Sequence, residues 1–307
     1  MSTTKPKRVV VAINPSASFG KSRDVGPALV QTLRAEGHEV TSLQEPDWES
    51  LQRSARAAVA KRPDALVVVG GDGMVNLGVN VLAQKRVPLG IVPAGTGNDM
   101  ARSLGIPYEN AEAAIRALSG ALAREPRTTD AATVRWSATD DAPAGERWVA
   151  CAISAGFDAI VNERANTMHH PKGPSRYTLA ILVELARLKP LHYRLTLDGR
   201  VIETDGSLVS IGNGISLGGG MKVTPDAVLD DGLLDVMIVQ PLSRAKFLRI
   251  FPKVFSGTHT GLPVVRMERA RRIRIEAPGI VVYGDGERMG PTPVDVELVP
   301  GALRVLV

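Results

Sequence analysis

The chain has 307 residues, of which 44% are hydrophobic and 22% charged, and its formal net charge is +5 at pH 7. This composition is typical of a globular protein long enough for two domains, and the modest positive charge suits anionic ligands without singling one out. The single cysteine, Cys151, excludes an intramolecular disulfide and argues against a cysteine-based metal site. No apolar run approaches the roughly 20 residues of a membrane-spanning helix, and the N-terminal run is too short for a usual signal peptide. We therefore expect a cytoplasmic protein with at most peripheral contact at the inner membrane face.

The N-terminal part of the chain alternates predicted strands and helices. A β-branched run at 9–13 is typical of a buried strand, and an amphipathic pattern at 23–36 predicts a helix. A short strand at 40–43 should precede a helix capped by Asp47. The alternation predicts an α/β domain, residues 1–125, built on a doubly wound parallel sheet. The helix after Asp47 should bury four residues, Trp48, Leu51, Ala55 and Val59.

Two strand–turn–helix units follow one another between residues 67 and 102, and their turns are rich in glycine and aspartate. The turns are Gly70-Gly71-Asp72-Gly73 and Gly95-Thr96-Gly97-Asn98-Asp99. Glycine permits tight turns and close approach of another molecule to the backbone, and a helix N-terminus attracts anions. The two common nucleotide motifs, G-x-x-x-x-G-K-[ST] and G-x-G-x-x-G, are missing, so a nucleotide hypothesis depends on these turns. A plain turn, and a simple helix cap at Asn98-Asp99, remain the alternatives.

The remainder of the chain, residues 126–307, is rich in predicted strands separated by turns such as Asp198-Gly199. One helix is predicted at 177–188 and another at 243–255, although Pro252 would interrupt the second. The pattern predicts a β-rich, sandwich-like second domain. The predicted strands are 128–135, 147–154, 193–197, 201–204, 208–213, 233–239, 273–276, 280–283, 294–298 and 303–307.

Nearly the whole chain resembles the bacterial diacylglycerol kinase-like lipid kinases, which are relatives of sphingosine kinases. That family carries an Asn-Pro loop after the first strand, then GGDGT-x-NE, then P-x-GT-x-ND-F-A. The matching stretches of this chain, in order, are Asn14-Pro15, 70–77, 93–101, Gly156-Phe157-Asp158, Gly212-Asn213-Gly214, 225–235 and Gly284-Asp285-Gly286-Glu287.

The resemblance implies a kinase that transfers the γ-phosphate of ATP to a lipid hydroxyl, on a diacylglycerol-like lipid, phosphatidylglycerol or a sphingoid base. It implies that the second domain completes the lipid and catalytic site. Asp72 and Asp99 would face the Mg²⁺ bound to the nucleotide, since carboxylate oxygens are suitable ligands for Mg²⁺. The implied nucleotide-binding residues are Asn14, Pro15, Gly70, Gly71, Asp72, Gly73, Asn76, Gly95, Thr96, Asn98 and Asp99.

Two positions depart from the family pattern. The family usually has Thr where this chain has Met74 and Glu where it has Leu77, and neither apolar side chain can contact phosphate or metal. Either nucleotide binds differently here, or activity is reduced or lost. A catalytically silent nucleotide- or lipid-binding homologue is therefore one alternative, and a kinase for a small soluble alcohol, resembling NAD kinase, is another.

Two acidic clusters in the second domain are candidate functional groups. The resemblance implies that Glu287 accepts the proton of the lipid hydroxyl, with Asp285 as its neighbour or rival; a solvated hairpin would also explain the pair. It also implies a structural Mg²⁺, with Ca²⁺ as the alternative, held by the Asp231 carboxylate and the carbonyls of Val228 and Leu233. A solvated hairpin is the competing interpretation of this second cluster as well.

The expected partner is a lipid substrate at a membrane surface. Basic and aromatic residues alternate over 243–255, as in an interfacial helix, although a core-packing helix with a basic face explains them slightly better. The basic run at 266–274 suits either a charged edge strand or contact with anionic lipid. No nucleic-acid motif is present, so no nucleic acid is expected. The sequence leaves the oligomeric state open, a dimer included.

Overall fold

The computed structural model describes residues 5–14, 24–139, 143–168 and 174–307, with the backbone alone at 174–178. The chain divides into two compact units, Met1–Ala131 with Pro300–Val307, and Ala132–Val299. The boundary predicted at residue 125 falls a few residues before this division. The sequence pattern did not indicate that the last residues join the first unit.

The first unit is a parallel sheet with helices packed on both faces. Successive side chains of a strand point to opposite faces of the sheet. Val67 therefore packs with the helices Val25–Ala35 and Ala111–Leu122, whereas Val68 faces the helix Asp72–Leu82 at Gly78. The strand order is β2-β1-β3-β4, every pair parallel, and this confirms the predicted doubly wound sheet. The elements are β1 Arg8–Ile13, α1 Val25–Ala35, β2 Glu39–Leu43, α2 Trp48–Ala60, β3 Ala65–Gly70, α3 Asp72–Leu82, β4 Leu89–Pro93, α4 Asp99–Leu104 and α5 Ala111–Leu122.

The C-terminal residues complete the first unit. Val305 pairs in parallel with Leu89 of β4, and the Leu306 N–H donates to the Leu89 carbonyl at 2.9 Å. The Leu306 side chain is buried in the same core as helices α1 and α5. The Gly301 N–H donates to the Asp130 carboxylate at 2.8 Å, which fixes the start of this segment.

Helix α2 differs in one respect from the sequence prediction. Asp47 caps it as predicted, because its carboxylate accepts a hydrogen bond from the Ser50 N–H at 2.8 Å. The helix buries Leu51, Ala55 and Val59, but Trp48 is 38% exposed, so its predicted burial is wrong. Trp48 is the first residue of the helix and lies outside the buried stripe.

The second unit is an antiparallel sandwich, as the sequence predicted. One sheet has the order β12-β11-β10-β7-β14-β15, and the other contains β13, β8 and β9 beside the first half of β16. Their facing side chains, among them Tyr193, Val236 and Ile273, form one buried core. The strands, of which the start of β5 and the end of β16 belong to the first unit, are β5 Arg127–Trp136, β6 Gly145–Val149, β7 Ala152–Gly156, β8 Leu191–Leu197, β9 Arg200–Gly206, β10 Leu208–Gly212, β11 Leu234–Val239, β12 Val265–Ala270, β13 Arg272–Glu276, β14 Val281–Gly284, β15 Glu287–Pro291 and β16 Val294–Val305.

The helices of the second unit confirm the expected interruption at Pro252 and include one helix that was not predicted. The helix predicted at 243–255 is divided at Pro252, which lacks the N–H that a continuous helix needs at this position. A further helix, α6, was not predicted. No helix in the described part of the chain is long and apolar enough to cross a membrane. The bounds are α6 Phe157–Thr167, α7 Pro174–Ala186, α8 Arg244–Ile250, α9 Lys253–Ser256 and a short 3₁₀ helix Thr258–Gly261.

Candidate functional site

The two glycine turns of the first unit touch backbone to backbone. They follow neighbouring parallel strands, and the Ala94 N–H donates to the Gly70 carbonyl at 2.9 Å. A Cβ atom on Gly95 would lie 2.3 Å from the Cα atom of Gly71, a distance that real Cβ atoms do not tolerate. A side chain is therefore excluded at Gly71 and Gly95, and the turns present bare peptide groups there, at the carboxyl edge of the sheet, where α/β proteins bind ligands.

The Asp72 side chain links the first glycine turn to the second by hydrogen bonds. Its carboxylate accepts hydrogen bonds from the Asn98 N–H at 3.0 Å and the Asp99 N–H at 2.8 Å, so it caps helix α4 from a neighbouring turn. Asn98 adopts a left-handed conformation with φ +55°, and its side chain bonds both the N–H and the carbonyl of Gly95. The structure thus brings together the predicted residues of both turns.

The electrostatics of this edge favour a cation beside the carboxylates and an anion beside the peptide groups. Burial, and then the neighbouring Asp99 carboxylate, raise the pKa of Asp72 above its usual value. A divalent cation would offset this repulsion. The N–H groups of Thr96 and Gly97 donate no hydrogen bond within the described ranges, so they are available to donate to a phosphate oxygen. The residues therefore fit a nucleotide phosphate with its metal ion.

The remaining predicted nucleotide residues differ in their surroundings. Asn14 continues β1, its N–H donating to the Val69 carbonyl at 3.3 Å, whereas Pro15 lies outside the described residues. Asn76 is 5% exposed; its carbonyl oxygen accepts from the Asn80 amide, and its own Nδ2 has no partner in the described parts of the chain. A buried amide that lacks a partner is a group that a bound ligand could satisfy.

Met74 and Leu77, the two departures from the family pattern, are core residues. Each is 1% exposed, on the buried face of α3. The Met74 side chain lies against Gly70, where an added Cβ would come within 2.5 Å of the Met74 Cγ. Both side chains therefore contribute packing, and the exposed peptide groups of the turns do not depend on them.

The acid pair of the second unit lies at a two-residue hairpin turn, with Asp285 in the turn and Glu287 as the first residue of β15. Asp285 and Gly286 both have positive φ, +48° and +82°, as required by the primed turns that join twisted strands. The Asp285 carboxylate is 9% exposed and accepts hydrogen bonds from the N–H groups of Ala150, Cys151 and Ala152 at 2.8–3.0 Å. These contacts lie between β6 and β7, where the sequence predicted one unbroken strand, 147–154, which is wrong.

Glu287 differs from Asp285 because its side chain is not engaged in the contacts that the structure describes. It is partly exposed, and its carboxylate has no hydrogen-bond or ion-pair partner among the residues that the structure describes. Asp285 therefore serves to hold the turn in place, while Glu287 is available for a substrate proton. The role of each in catalysis stays a prediction.

An apolar cavity of about 240 Å³ lies within the second unit. The sequence did not reveal it, because its lining is scattered from Phe157 to Val265. Its few polar side chains include Asp158 and Ser210, whose hydroxyl donates to the Asp158 carboxylate at 3.4 Å. Burial raises the pKa of Asp158 to about 6. A mostly apolar cavity with few polar groups is a typical binding site for an apolar molecule that carries a polar end.

The loop predicted to hold a structural metal forms an ion pair with strand β12. The Asp231 carboxylate accepts from the Leu233 N–H at 3.0 Å and pairs with the Arg269 guanidinium, while Val228 is 43% exposed. Asp235 beside it is 8% exposed, has one buried oxygen without a partner, and has a pKa raised chiefly by burial. No group of three or more His, Cys, Asp or Glu residues that could hold a metal occurs in the described ranges. The metal at Val228, Asp231 and Leu233 stays a prediction, with the Asp235 oxygen in its favour and the Arg269 pair against it.

Comparison with known proteins identifies both halves of the chain. Residues 8–134 match the family described as the diacylglycerol kinase catalytic domain, and residues 151–307 match the YegS C-terminal NAD kinase beta sandwich-like domain. A protein of Mycobacterium tuberculosis named diacylglycerol kinase is 40% identical over 300 residues, covering 97% of this chain and 94% of that protein.

Solved structures agree at the level of the fold. A crystal structure of a diacylglycerol kinase from Bacillus anthracis has a TM-score of 0.70 at 23% identity, covering 99% of this chain and 97% of that one. Yeast NADH kinase complexed with NADH has a TM-score of 0.53 at 12% identity, covering 98% of this chain and 82% of that one. The matched domains define the chain as an ATP-dependent kinase acting on an alcohol group. It belongs to the family of diacylglycerol kinase-like lipid kinases.

Proposed function

We propose that this kinase transfers the γ-phosphate of ATP to the hydroxyl of a diacylglycerol-like lipid. The observation that carries the lipid assignment is the apolar cavity of the second unit, because a small soluble alcohol would have no use for such a lining. The name of the 40% identical relative supports diacylglycerol as the first lipid to test. Phosphatidylglycerol and sphingoid bases present a similar hydroxyl and are the alternatives.

The first unit would bind the nucleotide. The Thr96 and Gly97 N–H groups would donate to phosphate oxygens, and the Gly71–Gly95 contact leaves no room for a side chain at either glycine. Asp72 and Asp99 would hold the metal ion, which neutralises phosphate charge when it is bound. Either Mg²⁺ or another divalent ion with oxygen ligands fits this role.

The second unit would bind the lipid and take its proton. An alkyl chain would fill the cavity, and the Asp158 and Ser210 side chains would meet the polar part of the lipid. The lipid hydroxyl oxygen forms the new bond to the γ-phosphorus, and the bond from that phosphorus to the bridging oxygen of ADP breaks. Glu287 accepts the hydroxyl proton, and Asp285 keeps the turn in position.

Lipid transfer can be measured directly with radiolabelled ATP. The acceptors are diacylglycerol, phosphatidylglycerol and sphingosine in mixed micelles, with NAD as the soluble comparison. We expect labelled lipid from one or more of the three, and turnover about 10²–10⁴-fold lower in Glu287→Gln. Glu276→Gln, which removes a carboxylate bonded to Arg274 on β13, is the matched control and should leave turnover unchanged.

Each competing function has its own outcome in that assay. Label in NAD alone would replace the lipid kinase by a small-alcohol kinase, a possibility that the yeast NADH kinase supports at the level of the fold only. ATP binding without transfer to any acceptor would favour the silent homologue. The burial of Met74 and Leu77 argues against that outcome, because neither residue has to contact nucleotide.

Helices α8 and α9 are the candidate contact with the membrane that delivers the lipid. Leu248 is 57% and Phe255 50% exposed, and the exposed basic residues nearby include Lys246 and Arg249. Apolar and basic side chains together on one exposed element suit the surface of an anionic bilayer. Sedimentation with anionic vesicles at low salt tests this, and binding equal to that of a Leu248→Glu, Lys246→Glu variant would contradict it.

A further inference from the structure

The acidic hairpin of the second unit is held on one face by helix α6. Tyr283 and Arg288 are paired across the two strands, so their side chains lie on the same face, and both bond Glu163 of α6. Gly284 and Glu287 form the next pair along the hairpin. Because side chains alternate along a strand, Glu287 lies on the opposite face. Glu163 thus contacts the hairpin on the face opposite to that of the Glu287 side chain.

The bond from Tyr283 is the strongest part of this contact. The Tyr283 hydroxyl donates to the Glu163 carboxylate at 2.6 Å, and Asn166 donates to the same hydroxyl at 3.2 Å. Tyr283 is 1% exposed, so its hydroxyl depends on these partners. The Arg288–Glu163 pair, at 3.1 Å, is about half exposed and therefore weaker.

The other side of the turn is fixed separately. The Asp285 carboxylate binds the backbone N–H groups of Ala150, Cys151 and Ala152, which holds the tip of the turn. That contact fixes the turn but involves no side chain of β15. The bonds of Tyr283 and Arg288 to Glu163 supply the second point of attachment, and Glu287 lies between the two.

We infer that Glu163 is a positioning residue for phosphoryl transfer, acting through Tyr283 and Arg288 to hold the Glu287 carboxylate toward the lipid hydroxyl. The inference rests on the proposed function, in which Glu287 takes the proton. Sequence reasoning did not find Glu163, which belongs to the helix that was not predicted and lies more than a hundred residues from the hairpin that it contacts.

The test uses the full chain with Glu163→Gln and Tyr283→Phe, and Glu276→Gln as the control. The control removes a carboxylate that bonds Arg274 in the other sheet of this unit. We expect kcat to fall on the order of 10–100-fold in both test variants, because small misplacements of a reacting group have effects of this size. KM for ATP should stay within about twofold, and thermal unfolding should show that each variant is folded.

A double substitution distinguishes positioning from a structural role. If Glu163 acts only through Glu287, Glu163→Gln combined with Glu287→Gln should be no slower than Glu287→Gln alone. Multiplied losses in the double variant, or a wild-type kcat in both Glu163→Gln and Tyr283→Phe, would overturn the inference while leaving the kinase intact. A wild-type chain that phosphorylates no lipid would instead refute the proposed function, and this inference with it.

Discussion

Replacing Asp285 and Glu287 one at a time should distinguish a residue that stabilises the fold, Asp285, from one that takes part in phosphoryl transfer, Glu287. Asp285→Ala removes the acceptor of three buried N–H groups, those of Ala150, Cys151 and Ala152. Each buried donor left without a partner costs about 1–3 kcal/mol. The three losses sum to about 3–9 kcal/mol. Because neighbouring losses share relaxation and entering water, we expect a total of about 3–5 kcal/mol, at the lower end of that range.

Glu287→Ala should behave in the opposite way. Its carboxylate has no hydrogen-bond or ion-pair partner in the described part of the chain, so its loss should change the free energy of unfolding by less than about 0.5 kcal/mol. Turnover should nevertheless be lost, with ATP binding retained. For Asp285→Ala, by contrast, we expect a fall in the melting temperature on the order of 10 °C.

Calorimetry and a lipid kinase assay on the same preparations provide the measurement. Calorimetry resolves the two compact units if they melt separately, and ATP titration reports on the first unit, which we propose to bind the nucleotide. An Asp285→Ala variant that is as stable as wild type yet inactive would refute this reasoning and make Asp285 the base. A Glu287→Ala variant with near-normal turnover would reassign the base in the same way.

Three further predictions follow from contacts in the two units. Gly95→Ala should raise KM for ATP by about tenfold or more, because the new Cβ would meet the Gly71 backbone; Gly120→Ala, which meets only a flexible arginine, is the control and should match wild type in an ATP titration. The folded-state pKa of Asp158, about 6, lies above the usual 3.8, so its contribution to stability is present below pH 4 and is lost as pH rises through 6. Relative to Asp158→Asn, wild type should lose about 3 kcal/mol over that range in urea titrations, and parallel curves would contradict this. If the loop at Asp231 holds a structural metal, EDTA should lower the melting temperature of wild type but not of Asp231→Ala; equal melting temperatures of wild type with and without EDTA would exclude the metal.

Local chemistry predicted the parts of the molecule that are continuous in sequence. The β-branched run at 67–69 forms a fully buried strand, as predicted. The glycine turn at its end contacts the turn at Gly95, because the two strands that precede the turns are neighbours in the sheet. Asp47 capped its helix because an aspartate at that position can reach an N–H three residues on. These features depend on a few adjacent residues, and tertiary contacts did not alter them.

Contacts between distant segments could not be predicted in this way. The break between β6 and β7 exists because Asp285, more than a hundred residues away, takes the N–H groups at 150–152. Helix α6 carries its buried residues Phe157, Val161 and Ala165 at helical spacing, a signal that could have found it. The hydrogen bonds between Glu163 and the hairpin could not have been predicted, since no residue near Glu163 in sequence indicates that Tyr283 is its partner.

The return of the last residues to the first unit has a consequence for how the molecule is made. A fragment ending at residue 131 would lack the partner of Leu89 and a buried leucine of its core, Leu306. Strand β4 would then expose an open edge, which invites pairing with other chains. During synthesis the first unit can close its sheet only after residues 300–307 have been made. A gene split after residue 131 should therefore yield a first fragment that aggregates.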